Sequence, residues 1–475
     1  MFLKRIFGSR RLAGWAAVVA GVAWGNAHAA ADFSAWSDSI GIALRTDSAG
    51  GANVKNTLPF DSIPVLVRLN PGVFSGFANT RPGGADIRFA GLKKSSGFGT
   101  VTYSWTALPY QIEQWVDGAG DQDTAEIWVL VYGLKGNDST QFIKMYWGNP
   151  SAADSSNGAR VFSPKAGFMA VYHLGETAAA TGTAGVYKDA TGNGYDADDY
   201  IAGDPAPGMI GKGIALNGTD EYLVSTSFRD SAVCRHGTVP PTVSVSAWVL
   251  FNPTGRDEIV LANEKKDTAG FMLHKDAGNN PMMWAGAESA GVAISCWQYG
   301  WGQKLSPDAQ TRVLFGGTFD SWAARSSVNG EGRNNSVDGR CDTAYVNSPN
   351  PLYIGRNASS AAGFLQGMID EVRIENVLRP SGWMKVCYEN QRPDQNLLHF
   401  APIYQLNALV RNSRHRSGSG ARPVLANALS ADVTRMADGA SAAMYDLRGR
   451  LLAPAAGRAS RRAEVSGIVI LAPAR

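Results

Sequence analysis

Adjacent carboxylates, Asp370 and Glu371, interrupt the otherwise apolar stretch LQGMIDEVRIE (Leu365–Glu375). Paired acids can exchange protons, hold a cation or do nothing. Strand alternation predicts Met368, Asp370, Val372 and Ile374 on one face, with Ile369, Glu371, Arg373 and Glu375 on the other. Glu371 and Arg373 then read as solvated. Asp370 falls on the more apolar face, where a carboxylate needs a cation or several donors to offset its desolvation. The turn KDATGNG supplies two more oxygen donors, Asp189 and Asn193, and Glu176 precedes it. Asp- and Gly-rich turns suit a hard cation, so Glu176, Asp189, Asn193 and Asp370 form a candidate Ca²⁺ set. The alternative is an Asx turn at Asp189 and a backbone-bonded Asp370.

A second constellation is aromatic. Trp297, Tyr299 and Trp301 alternate along SCWQYGWG, while Val292, Ile294 and Cys296 take the opposite face. Rings at that spacing can stack on pyranose faces, with Gln298 and Gln303 as hydrogen-bonding neighbours. Their alternative use is core or interdomain filling. No GxSxG, HExxH or CxxC motif occurs, and His173, His236, His274, His399 and His415 are scattered. The residues therefore point away from an enzyme without excluding one.

These residues sit in a chain of 475 residues with 54 glycines, 22 prolines and 10% aromatics, lacking long helix-period stretches. That pattern predicts an all-β protein. The first 29 residues carry Lys4, Arg5, Arg10 and Arg11, an apolar run from Leu12 to Trp24, and Ala27-His28-Ala29. They read as a signal peptide cleaved near Ala29/Ala30, which implies a secreted or outer-surface protein with no transmembrane segment. Residues 30–400 hold 29 basic and 37 acidic groups, a balance that argues against nucleic acid. Cys234, Cys296, Cys341 and Cys387 allow two disulfides in an oxidising compartment; Cys296 with Cys341 closes the smaller loop and is the expected pair.

Three regions follow the signal peptide. Residues 32–164 contain PVLVRLN (Pro64–Asn70), AEIWVLVY (Ala125–Tyr132) and FIKMYWGN (Phe142–Asn149), half-buried strands of an expected β-sandwich. GANV, PVLVRL, GADIRF, LPYQIEQW, AEIWV and MYWGNPSA occur here in order, and in these the region resembles the DUF2341 family, which implies no catalytic residues. Residues 165–400 carry D-x-TGNG, GKGIALNG, SAWV, LYIG and G-x-IDEVRI-x-N, and so resemble a LamG-like, concanavalin A-like jelly roll. Trp383, Lys385, Tyr388 and Asn390 follow Pro380 in a segment expected to pack structurally on the sandwich end. Residues 401–428 form a basic linker, and 429–475 a small β tail similar to C-terminal sorting tails.

The jelly-roll resemblance has two further implications. Related sandwiches often carry a structural Ca²⁺ at their ends, in line with the acid set above. Their glycosidase members use Glu-x-Asp-x-x-Glu on one strand, which neither DEIVLANE (Asp257–Glu264) nor IDEVRIE (Ile369–Glu375) reproduces. The expected function is non-catalytic binding of a polysaccharide or surface glycan. The alternatives are an adhesion or envelope-assembly protein that binds another protein, and a cryptic glycosidase.

Overall fold

The structure, a computed structural model, describes residues 31–401 except 56–59, 98–99, 119–121, 204, 230–241, 267, 290–291, 300–303, 309, 321–322 and 333–343; it also describes the strands Ala442–Tyr445, Leu451–Ala453 and Ile470–Pro473. The protein is nearly all β, as its alternating patterns predict. Among the described residues, no helix is long and apolar enough to cross a membrane. The three C-terminal strands form a small antiparallel sheet of their own.

The first sandwich pairs two sheets. Its five-stranded sheet runs Leu398–Ala401, Asp38–Leu44, Gln141–Trp147, Arg88–Gly97 and Thr100–Leu108. Its three-stranded sheet runs Phe60–Leu69, Thr124–Leu134 and Tyr110–Val116. Ile42, Val65, Val67, Phe89, Ile127, Val129 and Ile143 belong to the apolar cluster that includes its core. The outermost strand of the larger sheet, Leu398–Ala401, comes from the far end of the second region and pairs with Asp38–Leu44. The chain thus returns to complete the sheet it began.

The second sandwich places an eight-stranded sheet against a nine-stranded one. Phe271, Leu273, Phe315, Phe319, Leu352 and Ile354 fill the space between them. In the eight-stranded sheet the central strand Gln366–Glu375 pairs with Val243–Phe251 on one side. On its other side it pairs first with Lys212–Asn217 and then with Phe168–Tyr172. Its partner therefore changes at the paired carboxylates.

The strands expected to be half-buried are buried on both faces: Leu66, Trp128 and Leu130 are as inaccessible as Val65, Val67 and Ile127. Their second face belongs to one apolar cluster with Trp248 and Leu314 of the eight-stranded sheet and Trp383, Met384 and Val386 of the helix Ser381–Gln391. In that helix Trp383, Met384, Cys387, Asn390 and Gln391 recur at helical spacing and are all buried. Asn390 accepts from the Leu66 amide (2.6 Å) and donates to the Leu66 carbonyl (3.0 Å). A side-chain amide thereby satisfies a strand edge that would otherwise be buried unpaired. Arg379 lies 3.7 Å from the centre of the Trp383 ring, whose edge packs on Phe60 of the first sandwich.

Candidate functional site

Two clusters combine chemistry with defined geometry. The first lies in the seam between the sandwiches. An extra residue in Tyr110–Val116, Glu113, bulges that strand opposite Ile127 and Glu126. A second bulge sits in Gln366–Glu375, where Glu371 and Val372 together oppose Ala247. Glu371 takes φ +53°, a left-handed conformation costly for a side chain of its size. Bulges re-aim side chains, and here two of them aim carboxylates from different sandwiches at His173, just after the strand Phe168–Tyr172. His173 Nδ1 lies 2.6 Å from Glu371 Oε1 and 3.3 Å from Glu113 Oε2. Its Nε2 lies 3.3 Å from Gln111 Oε1, and Arg373 donates to the other Glu371 oxygen at 2.8 Å.

Both ring nitrogens of His173 face acceptors, the arrangement an imidazolium satisfies. Burial opposes its charge, but Glu113 and Glu371 together raise its pKa to about 9. For Glu371, burial favours the neutral acid, yet His173 and Arg373 outweigh it and lower the pKa. Burial raises Glu113 to about 7 despite the pull of His173. Glu113, His173 and Glu371 offer ligand atoms within 4.8 Å of one another, the span of a metal site. Protonated His173 and Arg373 already supply the positive charge there. Glu371 is 1% exposed and His173 8%, and Arg373 lies over Trp128 and Phe162. A sugar cannot reach such a centre. The cluster can clasp the two sandwiches electrostatically.

The second cluster lies on the outer face of the nine-stranded sheet. Tyr200 and Tyr222 are direct cross-strand partners, stacked with centroids 4.6 Å apart and planes 8° from parallel. Tyr353 and Phe364 extend the row at 5.8 and 6.3 Å from Tyr222. Alternation explains the placement: Leu223, Leu352 and Ile354 turn into the core, so Tyr222 and Tyr353 turn out. All four rings are half-buried, and none belongs to either apolar core. Phe364 also borders an open cleft of about 480 Å³ lined by Gly218, Arg256, Asp257 and Ala277.

Residues 83–169 match the family described as domain of unknown function DUF2341, and residues 220–381 match the concanavalin A-like lectin/glucanases superfamily. The chain carries a DUF2341 domain followed by a concanavalin A-like domain. No curated protein matches it. Among solved structures it is similar to the binding domain of Paraclostridial Mosquitocidal Protein 1, with 11% identity over 47% of this chain and 52% of that one, at a TM-score of 0.36. The botulinum neurotoxin serotype G binding domain gives 14%, 46%, 50% and 0.33 in the same order. Domain 4 of AbnA, a GH43 extracellular arabinanase from Geobacillus stearothermophilus, in complex with arabinotriose, gives 20%, 45%, 98% and 0.32. The chain spans about half the length of these toxin binding domains.

Within the concanavalin A-like domain the proposed calcium ligands do not converge. Asp189 Oδ1 accepts from the amides of Val171 and Thr191, and Asn193 donates to the Met169 carbonyl. Both tie their turn to the first strand of the domain. Glu176 accepts from the Lys188 amide. Asp370 accepts from the amides of Met209 and Ile210 through Oδ2. No three carboxylates of this set lie within 4.8 Å of one another. The first strand does neighbour Gln366–Glu375, as the calcium reading required, but the bulge re-aims the acids on it.

The bulge also corrects the reading of Glu371. The expected solvated residue is buried and ion-paired, and Arg373 is buried beside it. Asp370 moves away from Val372 and Ile374, which face the core with Ile369. Burial and the Glu371 charge hold the Asp370 carboxyl well above its ordinary pKa. Asp370→Asn keeps an oxygen for Met209 and Ile210, so the unfolding free energy from urea titration should fall by less than about 1 kcal/mol and be unaffected by chelator; chelator sensitivity in the parent protein that the Asn variant loses would restore the calcium reading.

Trp301 and Cys341 lie outside the described residues, as do the side chains of Trp297, Tyr299 and Cys296. The backbone register sets Trp297 opposite Trp284 and Tyr299 opposite Met282, at the edge of the nine-stranded sheet. Cys387 is free and buried in the helix Ser381–Gln391. Sequence reasoning missed His173, Gln111 and Glu113, which no motif links. It also missed the Tyr200–Tyr222–Tyr353 row, whose members come from strands far apart in the chain. The one available signal was a tyrosine at an outward position in each strand.

Proposed function

We propose that this is a non-catalytic glycan-binding protein of the secreted or cell-surface space, which engages polysaccharide through the outer face of its concanavalin A-like domain. The observation that carries the proposal is the row Tyr200, Tyr222, Tyr353 and Phe364: half-exposed rings, excluded from both cores, on the sheet face that the DUF2341 domain leaves free. Aromatic rings present apolar area and polar edges at little conformational cost, a combination suited to sugars. Trp297 and Tyr299, whose backbone lies at the far edge of the same sheet, are proposed with Trp301, two positions on in the sequence, to extend the surface. The basic and apolar residues before Ala30 support export.

The test uses the full chain on a glycan array, followed by titration of the best binder. Tyr222→Ala should weaken that binder by about tenfold or more, as truncating a central aromatic contact does. Its melting temperature should change little. Unaltered affinity in a folded Tyr222→Ala protein would remove this face from the function, and an array with no binder would remove glycan binding altogether.

A further inference from the structure

We propose that this face selects acidic saccharides, with Arg356 as the residue that receives the sugar carboxylate. The proposal rests on the glycan-binding reading and specifies its ligand class.

Arg356 follows Gly355 at the end of the strand Leu352–Ile354. Its guanidinium carbon lies 4.4 Å from the Tyr222 ring centre, 4.2 Å from that of Tyr353 and 5.9 Å from that of Phe364. The side chain is half-exposed, but its Nε is buried with no hydrogen-bond partner among the described residues. None of the ion pairs formed by the described residues includes Arg356. Ring faces offset part of the cost of desolvating the cation, but they supply no acceptor for its N–H groups. A planar fork of donors without a carboxylate is matched by a ligand that brings one.

Nearby acids are committed elsewhere. Glu221 accepts from the amides of Ala202 and Asn217, and Asp257 from that of Ala277. Glu264 accepts from the amides of Ala358 and Ser359, and this anchors the loop that carries Arg356 and Phe364. Gly355, at φ +92°, has Leu216 Cδ1 only 2.6 Å from where a Cβ would stand, which fixes the start of that loop. The site is therefore built before any ligand arrives. Arg256, in the adjoining cleft, donates to the carbonyls of Gly218 and Phe364 and adds a second positive charge. Two such arginines beside one aromatic row contrast with a chain whose residues 30–400 carry an excess of acid. Tyr222 lies between Tyr200 and Arg356, so a hexuronate has the matching pair of features in a C–H surface for the exposed parts of the row and a carboxylate for the fork.

The test measures the full chain by titration calorimetry against hexuronate oligosaccharides, each beside its methyl ester, which removes only the charge. The free acids should bind at least about tenfold tighter than the esters. Arg356→Gln should abolish the preference for acid over ester, bringing the two affinities to the same level. Arg356→Lys, with a charge but no fork, should fall between the two and serves if the glutamine variant does not fold. Equal affinity for acid and ester, or acid binding unaltered in a folded Arg356 variant, overturns acidic selectivity while leaving glycan binding in place. Failure of the chain to bind any glycan overturns both.

Discussion

Replacing Glu371 with glutamine should destabilise the protein by about 3–5 kcal/mol in urea unfolding, because it leaves His173 and Arg373 buried without their shared counter-charge. Asp370→Asn, one residue away, provides the contrast. A Glu371→Gln protein as stable as the parent would show that the seam ion pairs contribute nothing net. The same cluster sets a pH dependence. His173 has a folded pKa of about 9 against an ordinary 6.5, so its contribution is complete below about pH 6.5 and is lost as pH rises through 9. Glu113, raised from 4.5 to about 7, likewise contributes below 4.5 and loses that contribution as pH rises through 7. Glu371 is lowered, so its contribution is present above 4.5 and lost on acidification. Stability should therefore be greatest near pH 4.5 and decline as pH rises to 9, the part above pH 6.5 coming mainly from His173. His173→Gln should flatten that decline; an unchanged slope would assign it to other groups.

The second large effect concerns separation of the domains. A chain limited to residues 165–400 should not form a soluble, cooperatively folded module, whereas residues 31–401 should melt in one transition. Cutting the chain exposes Trp248, Leu314, Trp383 and Met384, which share a cluster with Leu66, Trp128 and Leu130. It also leaves His173 and Glu371 without Glu113, and Asn390 without Leu66. An apolar face of that composition promotes association in water. The experiment is calorimetry of the long chain beside expression and sedimentation of the short one. A monomeric short chain with its own sharp transition, or two resolved transitions in the long one, would show that the domains are independent.

The sequence by itself determined the class of the protein and most of its strands. The runs Pro64–Asn70, Ala125–Tyr132 and Phe142–Asn149 form strands because β-rich residues lie between Gly, Asn and Asp turns, a local property. Ordered motifs likewise identified both domains before any contact was known. Tertiary structure decided which face each strand buries. Period-two alternation placed Glu371 in water, but one extra residue at the bulge reverses alternation beyond it, and the bulge is set by pairing with Val243–Phe251 and by a change of partner on the other edge. It decided that the Thr124–Leu134 strand is buried on both faces, because the covering sheet and helix come from later in the chain. His173 meets Glu371 across 198 positions, and Tyr200, Tyr222 and Tyr353 become a row only when their three strands lie side by side. Alternation is written residue by residue, whereas register, bulges and covering faces arise from pairings between distant segments, and no local spacing encodes them.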